Sequence, residues 1–221
     1  MKAGAAAAAA AALLAGAGCL SRPAFVPKTY SIDAPAQART VDDPSAPVLE
    51  VRPVEVAAGL DDPELLYRLE GHRLERDPYA VLAAPPGEVL TQAVEGHLRG
   101  AGVARSVVEA GSAVPADFLV DVHALDLTGD FSRPDAPAGV VVLQFRVRPA
   151  AGGGAPILDR IYESRRPLPR RTAGAVVAAW NDGLAEIVRS FAGDLDRALA
   201  ERREATRGRS VPSLGTGGSQ R

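Results

Sequence analysis

Residues 140–148 read Val-Val-Val-Leu-Gln-Phe-Arg-Val-Arg. Val141, Leu143, Phe145 and Val147 fall on one side of a period of two, and Gln144, Arg146 and Arg148 fall on the other. That is the pattern of a β-strand with one face on a core and one face in water. Upstream, Phe118 to Leu127 repeats it, with Phe118, Val120 and Val122 set against Asp121 and His123. Ser132-Arg133-Pro134-Asp135 between the two runs is hairpin punctuation. Downstream, Gly152-Gly153-Gly154 turns the chain into a further strand over Ile157 to Glu163. From Thr172 to about Arg202 the apolar spacing changes to threes and fours: Val177, Trp180, Leu184, Ile187, Val188, Phe191, Leu195 and Leu199. Asp182, Glu186, Arg189, Asp196 and Arg203 lie off that stripe, which predicts a long amphipathic helix laid on the sheet.

Towards the N-terminus the same reading gives a hairpin over Leu65 to Arg76, turning at Gly71. Pro85-Pro86-Gly87-Glu88 opens a helix through about Arg99, with Val89, Leu90, Ala93, Val94 and Leu98 on one face and Gly100 and Gly102 as the stop. Val103 to Glu109 reads as a short strand. Val48 to Val56 is a strand whose apolar phase slips after Pro53, the mark of a bulge or an edge. Thr29-Tyr30-Ser31-Ile32 suits an edge strand. The expected fold is α+β, a mainly antiparallel sheet with two helices packed on one face as a sandwich. It occupies residues 48–204, after a lipid-anchored tether over 19–47 and before a Gly-, Ser- and Arg-rich tail over 205–221 that reads as disordered.

Of the 221 residues 47% are hydrophobic and 5% aromatic, so Val, Leu, Ile and Ala must build the core. The formal charge of −2 offers no basic excess for nucleic acid. The single cysteine excludes an internal disulfide and a cysteine-rich metal site. Its setting is more informative. Lys2 precedes an apolar run of 12 residues from Ala3 to Leu14, then Ala15-Gly16-Ala17-Gly18-Cys19. A bilayer span needs about 20 apolar residues, so residues 1–18 read as a signal peptide. Small residues ending at Cys19 resemble a bacterial lipobox, with Gly16 where Leu is usual. The resemblance implies diacylation of the Cys19 thiol (palmitate-type chains) and a new N-terminus there. Leu20, rather than Asp, follows Cys19; by the enterobacterial sorting pattern this implies the outer membrane, facing the periplasm.

No motif for catalysis is found. His72, His97 and His123 fall on different elements and form no metal-ligand pattern. No nucleophile elbow, Walker loop or dinucleotide fingerprint occurs. Asp126, Asp130 and Asp135 surround a hairpin turn and are read as turn chemistry. The reading is therefore no enzyme, no metal and no cofactor. Two groups are candidates for contact with a partner or with lipid headgroups. One is the strand face bearing Gln144, Arg146 and Arg148. The other is the run Arg165-Arg166-Pro167-Leu168-Pro169-Arg170-Arg171, which reads more readily as a stiff solvated linker between strand and helix.

Several weak motifs occur in a telling order: Tyr30-Ser31-Ile32, Val51-Arg52-Pro53-Val54, Leu60-Asp61-Asp62-Pro63, Leu66-Tyr67-Arg68, Tyr79, Ala84-Pro85-Pro86 and Trp180-Asn181-Asp182-Gly183-Leu184. Together they resemble the auxiliary lipoproteins of ABC-type transport systems, the PqiC/YmbA-like group. Val81-Leu82 stands where that family often carries Trp before Pro-Pro. The resemblance implies an accessory lipoprotein of a system moving lipids or other hydrophobic compounds. It would serve an ABC permease and ATPase together with an MCE-domain protein, as a docking or scaffold subunit that admits a homo-oligomer. An outer-membrane assembly or envelope-organising lipoprotein shares the anchor and size, and is the alternative.

Overall fold

The computed structural model describes residues 26–34, 39, 41–152 and 154–209. Cys19, the expected signal peptide and residues 210–221 lie outside them. The order is β1 (Lys28–Tyr30), β2 (Val48–Val51), β3 (Glu55–Val56), β4 (Glu64–Arg68), β5 (Leu74–Leu82), α1 (Pro86–Ala101), β6 (Ser106–Glu109), β7 (Phe118–Asp130), β8 (Ala138–Pro149), β9 (Leu158–Pro167) and α2 (Ala173–Arg209).

The sheet is built on β7. One edge of β7 pairs with β8 over its whole length, from Phe118 opposite Pro149 to Asp130 opposite Ala138, and β9 pairs with the far edge of β8. The other edge is shared by three strands in succession: β2 opposite Phe118 to Val120, β3 opposite His123 and Ala124, and β4 opposite Gly129 and Asp130. Outside β2 lies β6; outside β4 lie β5 and then β1. The sheet thus forks beyond β7.

The expectation of a mainly antiparallel sheet is not met. Among the described residues five of the eight strand pairings are parallel and three are antiparallel, so the sheet is mixed. The physical reason is local signal. The three antiparallel pairs are β4–β5, β7–β8 and β8–β9, each joining neighbouring strands through a turn that the sequence marks. Parallel strands need long crossovers, and side-chain alternation does not report which way a partner runs.

The phase slip at Pro53 is a bulge. Between the pairs Val51–Val120 and Glu55–His123 the chain advances four residues against three on β7. Arg52 still donates its N–H to Val120 (3.0 Å), and Ala57 to Ala124 (2.9 Å). Pro53 has no N–H to give. The Val54 N–H turns away from β7 and is taken by the Thr91 hydroxyl on α1 at 2.8 Å. This close approach needs Gly87, where a Cβ would stand 2.8 Å from the Val54 carbonyl oxygen.

α1 packs on β3, β6 and α2, and α2 lies across β7, β8 and β9. The buried face of α1 contains Val89, Leu90, Ala93, Val94 and Leu98, and Gly102 ends the helix in the left-handed conformation. The apolar stripe of α2 meets the inward side chains of β8, with Phe191 stacked on Phe145 at 4.2 Å between centroids. The Trp180 indole N–H donates to the Thr128 carbonyl at 3.1 Å, so the one tryptophan is buried with its polar group satisfied.

Two differences at the ends follow from contacts and from helix propensity. The docked chain begins before residue 48. Asn181 accepts from the Asp33 N–H at 2.7 Å and donates to the Ser31 carbonyl at 3.4 Å, and Ile32 between them is buried. Two motifs far apart in sequence, Tyr30-Ser31-Ile32 and the one containing Asn181, therefore meet in space. At the other end α2 continues to Arg209, past the expected tail boundary, because Glu201 to Ala205 are good helix formers even though none is buried.

At Gly139 on β8 a Cβ would sit 2.6 Å from the Cβ of Ala179 on α2. Gly139→Ala is expected to destabilise the protein by about 1–3 kcal/mol. Gly193→Ala on the open face of the same helix, where nothing lies within 4 Å, is expected to be neutral or stabilising by up to about 1 kcal/mol. Denaturant unfolding of the two variants measures the contrast.

Candidate interaction surface

Alternation along β7 and β8 sends Val120, Val122, Leu143, Phe145 and Val147 into the core. The intervening side chains therefore stand on the opposite face of the sheet. There Gln144, Arg146 and Arg148, the sequence-derived candidates, come together with Asp121 and His123 of β7, Arg52 and Glu55 from the bulged segment, and Asp159 of β9. Most of them line a shallow groove of about 380 Å³.

The groove is held by a chain of ion pairs. Arg148 Nε meets Asp121 Oδ2 at 3.0 Å, and Arg52 Nε meets Asp121 Oδ1 at 3.6 Å. Arg146 Nε meets Asp159 Oδ2 at 2.9 Å, while the Gln144 amide donates to Asp159 Oδ1 at 2.7 Å. Hydrogen bonds from Gln144 and Arg146 hold the Asp159 carboxyl below its usual range. His123 Nδ1 lies 3.7 Å from Glu55 Oε2. Asp121 and Asp159 thus fix guanidinium and amide groups while leaving them partly open to solvent. The arrangement suits recognition by hydrogen bonding, and it juxtaposes no nucleophile with a base. Arg52, Glu55, Asp121, His123 and Asp159 belong to this surface but were not among the expected site residues. Their polar phase along the strands was visible in the sequence; the register that joins the four segments was not.

The second candidate group is dispersed. Arg165 and Arg166 lie within β9, not in a linker, and point to opposite faces. Arg165 pairs with Asp130 at 2.7 Å, and Arg166 with Glu186 of α2 at 3.0 Å. Arg171 sits 4.7 Å above the Phe131 ring. Arg170 is exposed in the turn before α2. The four arginines do not form one cationic patch.

The three histidines stay apart, in the turn before β5, on α1 and on β7. Burial lowers the pKa of His97. Among the described residues no group of three or more His, Cys, Asp or Glu is placed to hold a metal ion. None of their helices is long and apolar enough to cross a membrane.

A family model described as an ABC-type transport auxiliary lipoprotein component matches residues 30–192. The chain belongs to this family: it is an auxiliary, membrane-anchored component of ABC-type transport, a class whose role implies no catalysis of its own. Among solved structures it is similar to protein XCC0632 from Xanthomonas campestris, of the DUF330 family, at 17% identity and TM-score 0.66, covering 80% of this chain and 99% of that one. It is also similar to an uncharacterized protein at 13% identity and TM-score 0.58, covering 79% and 99%. At such identities the likeness shows the fold alone. Comparison with curated proteins gives no match.

Asp130 provides a pH test of how the β7–β8 turn is held. Burial pushes its carboxyl up, but hydrogen bonds from the Ser132 hydroxyl and N–H and from Arg165 outweigh this and lower it to about 2. An unfolded aspartate titrates near 3.9. A depressed folded value means stability that is fully present above about pH 4 and is lost as pH falls from about 4 to about 2. The size is about 2 kcal/mol. Asp130→Asn is expected to lose about that much at neutral pH and to flatten the acid limb of the stability curve in that window, as read by denaturant unfolding at stepped pH.

Proposed function

We propose that this protein is the periplasm-facing, outer-membrane-anchored accessory subunit of an ABC/MCE-type system that moves lipids or other hydrophobic compounds. In this reading diacylated Cys19 holds it at the membrane, and it docks on the MCE-domain protein or the permease–ATPase complex without catalysis. The observation that carries the docking role is the outer-face groove. It is a pre-ordered surface of charged and amide groups, on the side of the sheet away from the helices, built by residues the core does not need.

Exposed ion pairs of this kind contribute only about 0–1 kcal/mol each to stability. They can therefore be altered without unfolding the chain. Interfaces of mixed charge gain specificity and encounter rate from complementary potentials, and reversing such charges juxtaposes like charges across the contact. The mature chain is mildly acidic, so the lipid rather than electrostatics must hold it at an anionic membrane.

Arg146→Glu combined with Arg148→Glu is expected to reduce co-purification with the cognate transport complex by at least about tenfold, with the thermal midpoint nearly unchanged. Recovery at the wild-type level, or recovery of β-barrel assembly proteins instead, contradicts the reading. Independently, Cys19→Ala is expected to abolish acyl labelling of the protein and to prevent its sorting to the outer-membrane fraction.

A further inference from the structure

A second cleft, of about 650 Å³, opens between the last turns of α2, the segment leading into β2, and the β6 and β7 starts. Its volume lies in the range of small-ligand sites, about 300–1,000 Å³. Its composition is divided. One part is apolar, formed by Pro44, Pro47, Phe118, Pro149 and Leu199. The other is cationic: Arg202, Arg203 and Arg207 come from α2, and Arg105 comes from the approach to β6. One carboxylate, Asp117, lines the cleft, and its Oδ2 is engaged by the Val48 N–H at 2.8 Å.

We propose that this cleft binds a phospholipid with an anionic headgroup, the phosphate lying among the arginines and the start of an acyl chain lying against the prolines and Phe118. The inference stands on the cleft alone and not on the docking partner proposed above. The negative end of the α2 dipole favours arginine in the last turn. It does not account for Arg105, which lines the same cleft from a different element. Arg105 and Arg207 make no ion pair among the described residues. Arg203 donates to the Ser45 carbonyl at 3.4 Å and also acts on the Asp43 carboxylate. The Arg202 guanidinium lies over the Phe118 ring at 5.9 Å, where the apolar and cationic parts join. Guanidinium groups bind phosphate oxygens through paired N–H donors. The apolar wall argues for an acyl chain over a peptide. Its three prolines present rings and no N–H donors, so a peptide backbone laid there would leave its carbonyls unsatisfied, whereas a hydrocarbon chain loses nothing.

The test is calorimetric titration of the purified full-length protein with dihexanoyl phosphatidylglycerol below its micelle concentration, beside dihexanoyl phosphatidylcholine, inorganic phosphate and an oligoglutamate peptide. The same series is run on Arg105→Glu/Arg207→Glu, whose exposed positions leave the fold intact, as its thermal midpoint will show. Saturable binding of one phosphatidylglycerol, stronger than that of the other three probes and weakened at least about tenfold in the double variant, is expected. The proposal is overturned by equal affinity in the variant or for phosphatidylcholine. It is also overturned if free phosphate binds as tightly as the lipid, which leaves only an anion site, or if oligoglutamate binds more tightly, which makes the cleft a peptide site.

Discussion

The hydrogen bonding of β7 along both edges is the constraint on which the rest depends. Its thirteen residues give one full edge to β8 and divide the other among β2, β3 and β4. A strand filled on both sides opens only when its neighbours leave. A divided edge also forces the segments from Val48 to Arg68 to follow one line, with the mismatch in length released at Pro53 and in the loop before β4. The Pro53 bulge is tolerated because Thr91 takes the Val54 N–H that the sheet gives up. Both arms of the fork, and the seat of α2 on the sheet, follow from this arrangement.

Alternation makes the same strand serve two purposes. Val120 and Val122 face the helices, and Asp121 and His123 face the groove. The two faces differ in energetic character. The inner one gains stability by removing large side chains such as Phe145, Phe191 and Trp180 from water. The outer pairs, Arg148–Asp121 and Arg146–Asp159, are partly solvated and add little to stability. The Asp130–Arg165 pair is different: its carboxylate is buried, and it holds the β7–β8 turn. Charges that scarcely support the fold yet are ordered by it are the ones free to recognise another molecule.

Much of this was legible in the sequence. The hairpins, both helices, the edge strand near Tyr30 and the slip at Pro53 carry local signals, either a period, a turn or a proline. So does the polar phase of Gln144, Arg146 and Arg148. The parallel pairings were not legible, because β2 meets β7 only after α1 and β6 have intervened, and no turn announces that contact. For the same reason Arg52 and Glu55 could not be added to the groove, while Asp121 and Asp159 reach it across hairpins whose turns do not fix the register. The run from Arg165 to Arg171 looked continuous only because sequence adjacency hides strand geometry, which sends Arg165 and Arg166 to opposite faces. The cleft near α2 was out of reach, since Arg105 and Arg207 are 102 positions apart.

The proposed docking role comes down to one claim, that the outer face of the β7–β8 pair is where this subunit contacts its transport machine. In-cell crosslinking from a photoreactive residue introduced at position 146, compared with one at the exposed Asp182 on α2, tests it most directly. Crosslinks to an MCE-domain, permease or ATPase subunit from position 146 and none from 182 are the expected result. Crosslinks to those subunits from 182 with none from 146 would contradict the account.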